Sequence, residues 1–101
     1  MKKIINGKKY DTNTAKEITY ASNGYGVTDF NYSCETIYQK KTGEFFLHGE
    51  GGPLSKYRES AGHGWCGGEH IIPLTIEEAK EWMEKHANAD EYETVFGKVE
   101  E

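Results

Sequence analysis

His63, Cys66 and His70 carry the most reactive chemistry in this chain, and their H-x2-C-x3-H spacing suggests two uses for a thiol between imidazoles. The first is zinc, which takes four nitrogen or sulfur ligands in a tetrahedron, with His48 or Cys34 as the fourth. Structural zinc sites ordinarily show two clean pairs of ligands, whereas only one loose set is present. The expectation is therefore no metal, with a zinc-stabilised interaction module as an alternative. The second use is nucleophilic, with Cys66 activated by His63 or His70. No Asp or Asn is placed to orient either imidazole, and Glu50, Glu59 and Glu69 are expected in loops, where the sequence sets no separation for an acid/base pair. The reading is non-enzymatic, without catalytic residues or cofactor.

Two glycine-rich stretches resemble phosphate loops by composition. Gly62-His63-Gly64-Trp65-Cys66-Gly67 matches G-x-G-x-x-G, but that motif works only where it leaves a strand and opens a helix, and here a strand follows. Gly49 to Lys56 lacks the Gly-Lys-Ser/Thr ending that puts lysine on phosphates, so nucleotide hydrolysis is rejected. These glycines are expected to turn the backbone and pack against a sheet. The alternative is a small-ligand or nucleotide-binding protein using loop 49–68 as its pocket.

The elements that position these residues follow from local pattern. Asn6-Gly7 between β-compatible flanks predicts a hairpin over 4–10. Thr14 followed by Glu17 is a capping-box spacing and predicts a helix over 13–22, ended by Asn23-Gly24 before a flexible link. Phe30, Tyr32, Cys34, Thr36 and Tyr38 alternate with Asn31, Ser33, Glu35, Ile37 and Gln39 at strand period, predicting a 29–39/44–49 hairpin whose aromatic face, with Phe45 and Leu47, forms core. Leu54 to Ser60 reads as a turn or two of helix, and residues 69–73 as a strand that Pro73 holds at an edge. Thr75-Ile76-Glu77-Glu78 opens a helix over 75–88 with Ala79, Trp82, Met83, His86 and Ala87 buried, and a last short helix runs from Asp90 to Phe96 and stops at Gly97. The fold class is α+β in one small domain, 1–101: a small antiparallel sheet of hairpins packed by a C-terminal amphipathic helix.

The 101 residues have a mean hydropathy of −0.81 and 13% aromatics, which favours a lean folded core over disorder. No apolar run approaches a membrane span or a signal peptide, so a cytoplasmic location is expected, with Cys34 and Cys66 as thiols rather than a bridge. Arg58 is the lone arginine and the lysines come in scattered pairs without a continuous basic face, which argues against sequence-specific DNA reading. The net charge of −5 is unevenly distributed. Residues 1–73 carry nine Lys/Arg and eight Asp/Glu, whereas residues 74–101 carry three Lys and nine acids, a net −6. Glu77, Glu78, Glu81, Glu84, Asp90, Glu91 and Glu93 are thus candidate partner-binding residues, since such a patch can stand in for phosphates on a basic groove. Glu50, Lys56, Tyr57, Arg58 and Trp65 are candidate second contacts.

The opening Ile-Ile-Asn-Gly-Lys-Lys-Tyr-Asp-Thr-Asn-Thr-Ala-Lys-Glu-Ile, the central Glu-Thr-Ile-Tyr-Gln-Lys-Lys-Thr-Gly-Glu-Phe-Phe-Leu-His-Gly-Glu-Gly-Gly and the closing Ile-Ile-Pro-Leu-Thr-Ile-Glu-Glu-Ala-Lys-Glu-Trp carry a resemblance over nearly the whole chain. They resemble a widespread group of small uncharacterised proteins of Gram-positive phages and conjugative elements. The resemblance implies an accessory protein of a mobile element and brings no catalytic residues. By analogy with small acidic accessory proteins, it points to an anti-CRISPR or other anti-defence inhibitor whose partner is a nucleic-acid-binding host complex.

Overall fold

The computed structural model describes residues 1–101, which form an α+β fold of antiparallel sheets and two C-terminal helices. Strands β1 (Lys2–Ile5) and β2 (Lys8–Asp11) make a two-stranded hairpin. Its turn residues Asn6 and Gly7 both take positive φ (52° and 78°), as Asn-Gly turns demand. The central sheet has the order β3 (Lys16–Ser22), β4 (Ser33–Gln39), β5 (Phe45–Gly51), β8 (Gly68–Leu74). Between β5 and β8, β6 (Glu59–Ala61) and β7 (Gly64–Cys66) form a separate hairpin, largely exposed, with Gly62 at φ 60° in its turn. Helices α1 (Ile76–His86) and α2 (Ala89–Phe96) follow, each opened by a complete capping box, Thr75 with Glu78 and Asn88 with Glu91. Neither helix is long and apolar enough to cross a membrane.

Both faces of the central sheet are used. On one, Ile37, Phe45 and Leu47 meet Ala79, Trp82 and Met83 of α1, with Tyr92, Val95 and Phe96 of α2 alongside. On the other, Phe46 is fully buried beside Ile71, stacked on Tyr38 (5.2 Å between centroids) and edge-on to Tyr10 of the hairpin (5.5 Å). The radius of gyration is 14.8 Å, against about 13 Å for a compact chain of this length, which fits two hairpins lying outside the main sheet.

Several expectations are corrected. The segment expected as a helix over 13–22 is strand β3. Thr14 makes a turn on the Asp11 carbonyl instead of capping, and the Ile18-Thr19-Tyr20 run, poor for helix and good for strand, pairs with β4. A bulge between Glu17 and Thr19 accompanies the packing of Ile18 against the helix-side core. Phe30 and Tyr32 precede β4, because Asp29 accepts hydrogen bonds from Asn31 and folds 29–32 into a turn. The aromatic face also divides: Tyr38 pairs with Phe46 on the hairpin side, so Trp82 and Met83 pack on Ile37, Phe45 and Leu47. Leu54 to Ser60 makes turns without a helix, since the Leu54 N–H is taken by Phe30 and Ser55 Oγ accepts from Tyr57 N–H. The N-terminal hairpin covers the sheet rather than extending it, and His86 at the end of α1 is exposed.

Phe46→Ala is expected to cost about 3–5 kcal/mol of unfolding free energy, and Phe30→Ala, at a side chain left 63% exposed, no more than about 0.5 kcal/mol. Chemical denaturation of the two variants checks this, and comparable losses would contradict the placement of residue 30.

Candidate functional site

The centre of polar organisation is Glu35, a carboxylate on β4 that is only 9% exposed. It lies opposite Gly49 of β5, which lies opposite His70 of β8, so these residues share the helix-facing side of the sheet. Gly49 has no side chain, and the Tyr57 ring fills that place; a Cβ there would run into it. The Tyr57 hydroxyl donates to Glu35 Oε2, Lys56 Nζ lies 2.7 Å from the same oxygen, and Trp82 Nε1–H donates to Oε1 at 3.1 Å. The His70 ring stacks on Tyr57, with its Nε2 3.3 Å from Glu59.

Burial pushes the Glu35 carboxyl up, but the hydrogen bonds from Lys56, Tyr57 and Trp82 outweigh it and hold the group below its ordinary value of 4.5. Burial, reinforced by the bond to the carboxylate, raises the Tyr57 phenol and keeps it protonated. A carboxylate held ionised by three donors and a tyrosine held neutral do not make an exchanging acid/base pair. Together they clamp segment 52–58 and α1 to the sheet. The aromatic alternation along 30–38 marks the opposite face of this strand; the face that carries Glu35 is marked by Ser33-x-Glu35-x-Ile37, with Glu35 opposite Gly49.

His63, Cys66 and His70 do not form a ligand group. His63 is exposed in the β6–β7 turn, and His70 faces the helices beside Glu59. His48, paired with Ile71, lies on the opposite side of the sheet and cannot serve as its fourth ligand. Cys34 and Cys66 are free thiols. The group whose ligand atoms lie within 4.8 Å of one another is His48, Glu50 and Glu69. Segment 49–68, expected as a loop, instead holds the end of β5, the β6–β7 hairpin and the start of β8, and its glycines serve close packing, with Gly49 against Tyr57, Gly51 against Ser55 and Gly68 against the Tyr57 carbonyl. Among the candidate second contacts Tyr57 is buried and Lys56 is tied to Glu35, whereas Glu50 is exposed and Arg58 stacks on the exposed Trp65 (4.7 Å).

The acidic candidates lie on α1 and α2. Glu78 and Glu91 complete the capping boxes, and Glu93 accepts from the Val99 N–H. Glu77, Glu81 and Glu84 are exposed at helical spacing on one side of α1, and Asp90 is exposed at the start of α2. Between the helices lies an open groove of about 480 Å³ whose lining includes Ala87, Tyr92 and Val99 together with Glu84 and Glu93. The lysines prove less scattered than expected, since Lys8, Lys9, Lys40 and Lys41 line one hollow, where Glu44 bridges Lys8 and Lys40.

Comparison with family models, with curated proteins and with solved structures found no match.

Glu35→Gln is expected to destabilise the protein by about 2 kcal/mol at neutral pH. Because the folded pKa lies below the unfolded one, the carboxylate's contribution is present above about 4.5 and is lost as pH falls through the lowered value. Urea denaturation across pH should therefore show wild type and variant converging in acid; parallel curves would refute the role. Gly49→Ala should cost about 1–3 kcal/mol by overpacking against Tyr57, and much less when introduced into Tyr57→Ala.

Proposed function

We propose that this chain is a non-enzymatic binding protein that docks the acidic surface of α1 and α2 on a basic surface of its partner. The observation that carries the reading is that no acid in residues 74–101 forms an ion pair within the chain, although the ion pairs of the body engage Glu35, Glu44, Glu59 and Glu69. A net −6 over the last 28 residues is left for an external cation. Long-range attraction from such a surface speeds encounter and selects basic partners. The groove between the helices supports the same chemistry. An arginine or lysine would lay its aliphatic stem on Ala87, Tyr92 and Val99 and meet Glu84 or Glu93 with its charged head.

The partner class that fits is a protein whose basic groove ordinarily holds nucleic acid, because carboxylates spaced along a helix replace phosphates electrostatically. In this reading the chain is an accessory protein of a mobile element, acting in the host cytoplasm as an anti-defence inhibitor of the anti-CRISPR type. Its experiment is protection of a targeted plasmid in cells carrying RNA-guided nucleases. The wild-type chain should protect against at least one nuclease, and Glu77→Lys/Glu81→Lys/Glu84→Lys, which spares both capping boxes, should lose protection while keeping its melting temperature. Binding of the purified pair should weaken with salt, and less steeply for the variant. Equal protection by the variant would overturn the acidic-surface mechanism, and absence of protection by wild type would overturn the inhibitor reading.

A further inference from the structure

The end of the hairpin-side face of the central sheet that the N-terminal hairpin leaves uncovered carries a second chemistry. Cys34, Glu50 and Glu69 stand in one cross-strand row on β4, β5 and β8, and His48 stands in the next row on β5. His48 and Glu50 are two residues apart on one strand, so both side chains leave the same face. Glu69 lies directly opposite Glu50 on the neighbouring strand. The ligand atoms of these three residues lie within 4.8 Å of one another, and His48 Nε2 is 2.9 Å from Glu69 Oε2.

Two carboxylates facing each other across paired strands repel. No Lys or Arg side chain lies within ion-pair distance of Glu50 or Glu69, although every other carboxylate of the body that forms an ion pair meets a lysine or stands beside His70. The histidine is the sole group that answers this concentration of negative charge. Two carboxylates against one imidazole leave the cluster net negative, which a bound cation would offset.

We infer that His48, Glu50 and Glu69 form a binding site for a divalent first-row transition-metal cation of the zinc type. One imidazole nitrogen and two carboxylate oxygens suit zinc or its neighbours, whereas calcium and magnesium favour all-oxygen shells. A shared zinc-type ion would take these ligands at about 2.0–2.2 Å, and their atoms already lie within 4.8 Å of one another. Paired strands hold the backbones, so the ligand set is preorganised on a rigid element. Three protein ligands leave a tetrahedral ion one open position, and the site borders a hollow of about 330 Å³ that Glu50 and Glu69 share with Tyr32, Val27, Gly51 and Gly52. The site lies on the sheet, apart from the acidic surface of α1 and α2, and stands whether or not the proposed function holds.

Titration calorimetry of the full-length protein, stripped with chelator, with Zn²⁺ and separately with Mg²⁺ tests the assignment. One Zn²⁺ should bind per chain, with no comparable Mg²⁺ binding, and His48→Ala, Glu50→Gln and Glu69→Gln should each weaken it at least tenfold, while His63→Ala leaves it unchanged. Without metal, Glu50→Gln should melt at or above the wild-type temperature because it removes repulsion; bound Zn²⁺ should raise the melting temperature of wild type but not of that variant. Co²⁺ should give visible d–d bands without thiolate charge transfer. Wild-type affinity in His48→Ala, a thiolate band, or no Zn²⁺ binding would each overturn the site.

Discussion

A buried carboxylate organises this fold. An ionised side chain in the interior is tolerated only when donors meet it, and Glu35 sits on a central strand beneath a helix. Its three donors come from two places: the indole of Trp82 on α1, and the hydroxyl of Tyr57 and the ammonium of Lys56 on the crossing segment between β5 and β6. Each of these must be held where it is for the charge to remain paired. Gly49 admits the Tyr57 ring over the sheet, and Gly68 admits the Tyr57 backbone. A glycine-rich stretch that resembles a flexible loop is thus the socket for an aromatic clamp. Removing one donor would leave the remaining charge poorly compensated, so the clamp resists piecemeal change more strongly than an apolar contact of equal area.

Division of the sheet into two faces follows from the same alternation. The face bearing Glu35 receives both helices and, through them, turns the acidic residues of 74–101 outward. The opposite face is covered only around Phe46 by the N-terminal hairpin, and it leaves His48, Glu50 and Glu69 accessible at its far end. Solvent exposure of the helix acids costs little, because charged residues on an outer helical face remain hydrated and two of them serve as caps. The two carboxylates on the strands are different, because the backbone pairing fixes them side by side.

Elements with local determinants were legible in the chain. Asn6-Gly7 encodes its own turn, Thr75 encodes the start of α1, Gly97 encodes a stop, and Pro73 marks an edge strand, whereas the Asn88 cap that opens α2 is no part of the sequence expectation. At 13–22 the capping-box spacing is only a weak local preference for helix, and it is outweighed by pairing of Ile18 to Tyr20 along the edge of the sheet. Phe30 and Tyr32 continued the alternation of β4 in sequence, but the Asp29 turn ended the strand before them. Of the candidate site residues, the acids on the helices lie where charge type alone would put them. His63, Cys66 and His70 separate because adjacent positions on strand and turn point different ways.

What the sequence by itself determined is the α+β class, the hairpin turn, both helices with the Thr75 cap, and the concentration of negative charge in the last 28 residues, since each depends on neighbours a few positions apart. Only the tertiary structure decided that Glu35 is buried, that Tyr57 occupies the space over Gly49, and that Glu69 stands beside Glu50. Those outcomes depend on the register between strands distant in the chain. A shift of one residue would exchange the two faces, placing Glu50 and Glu69 under the helices and Glu35 in water.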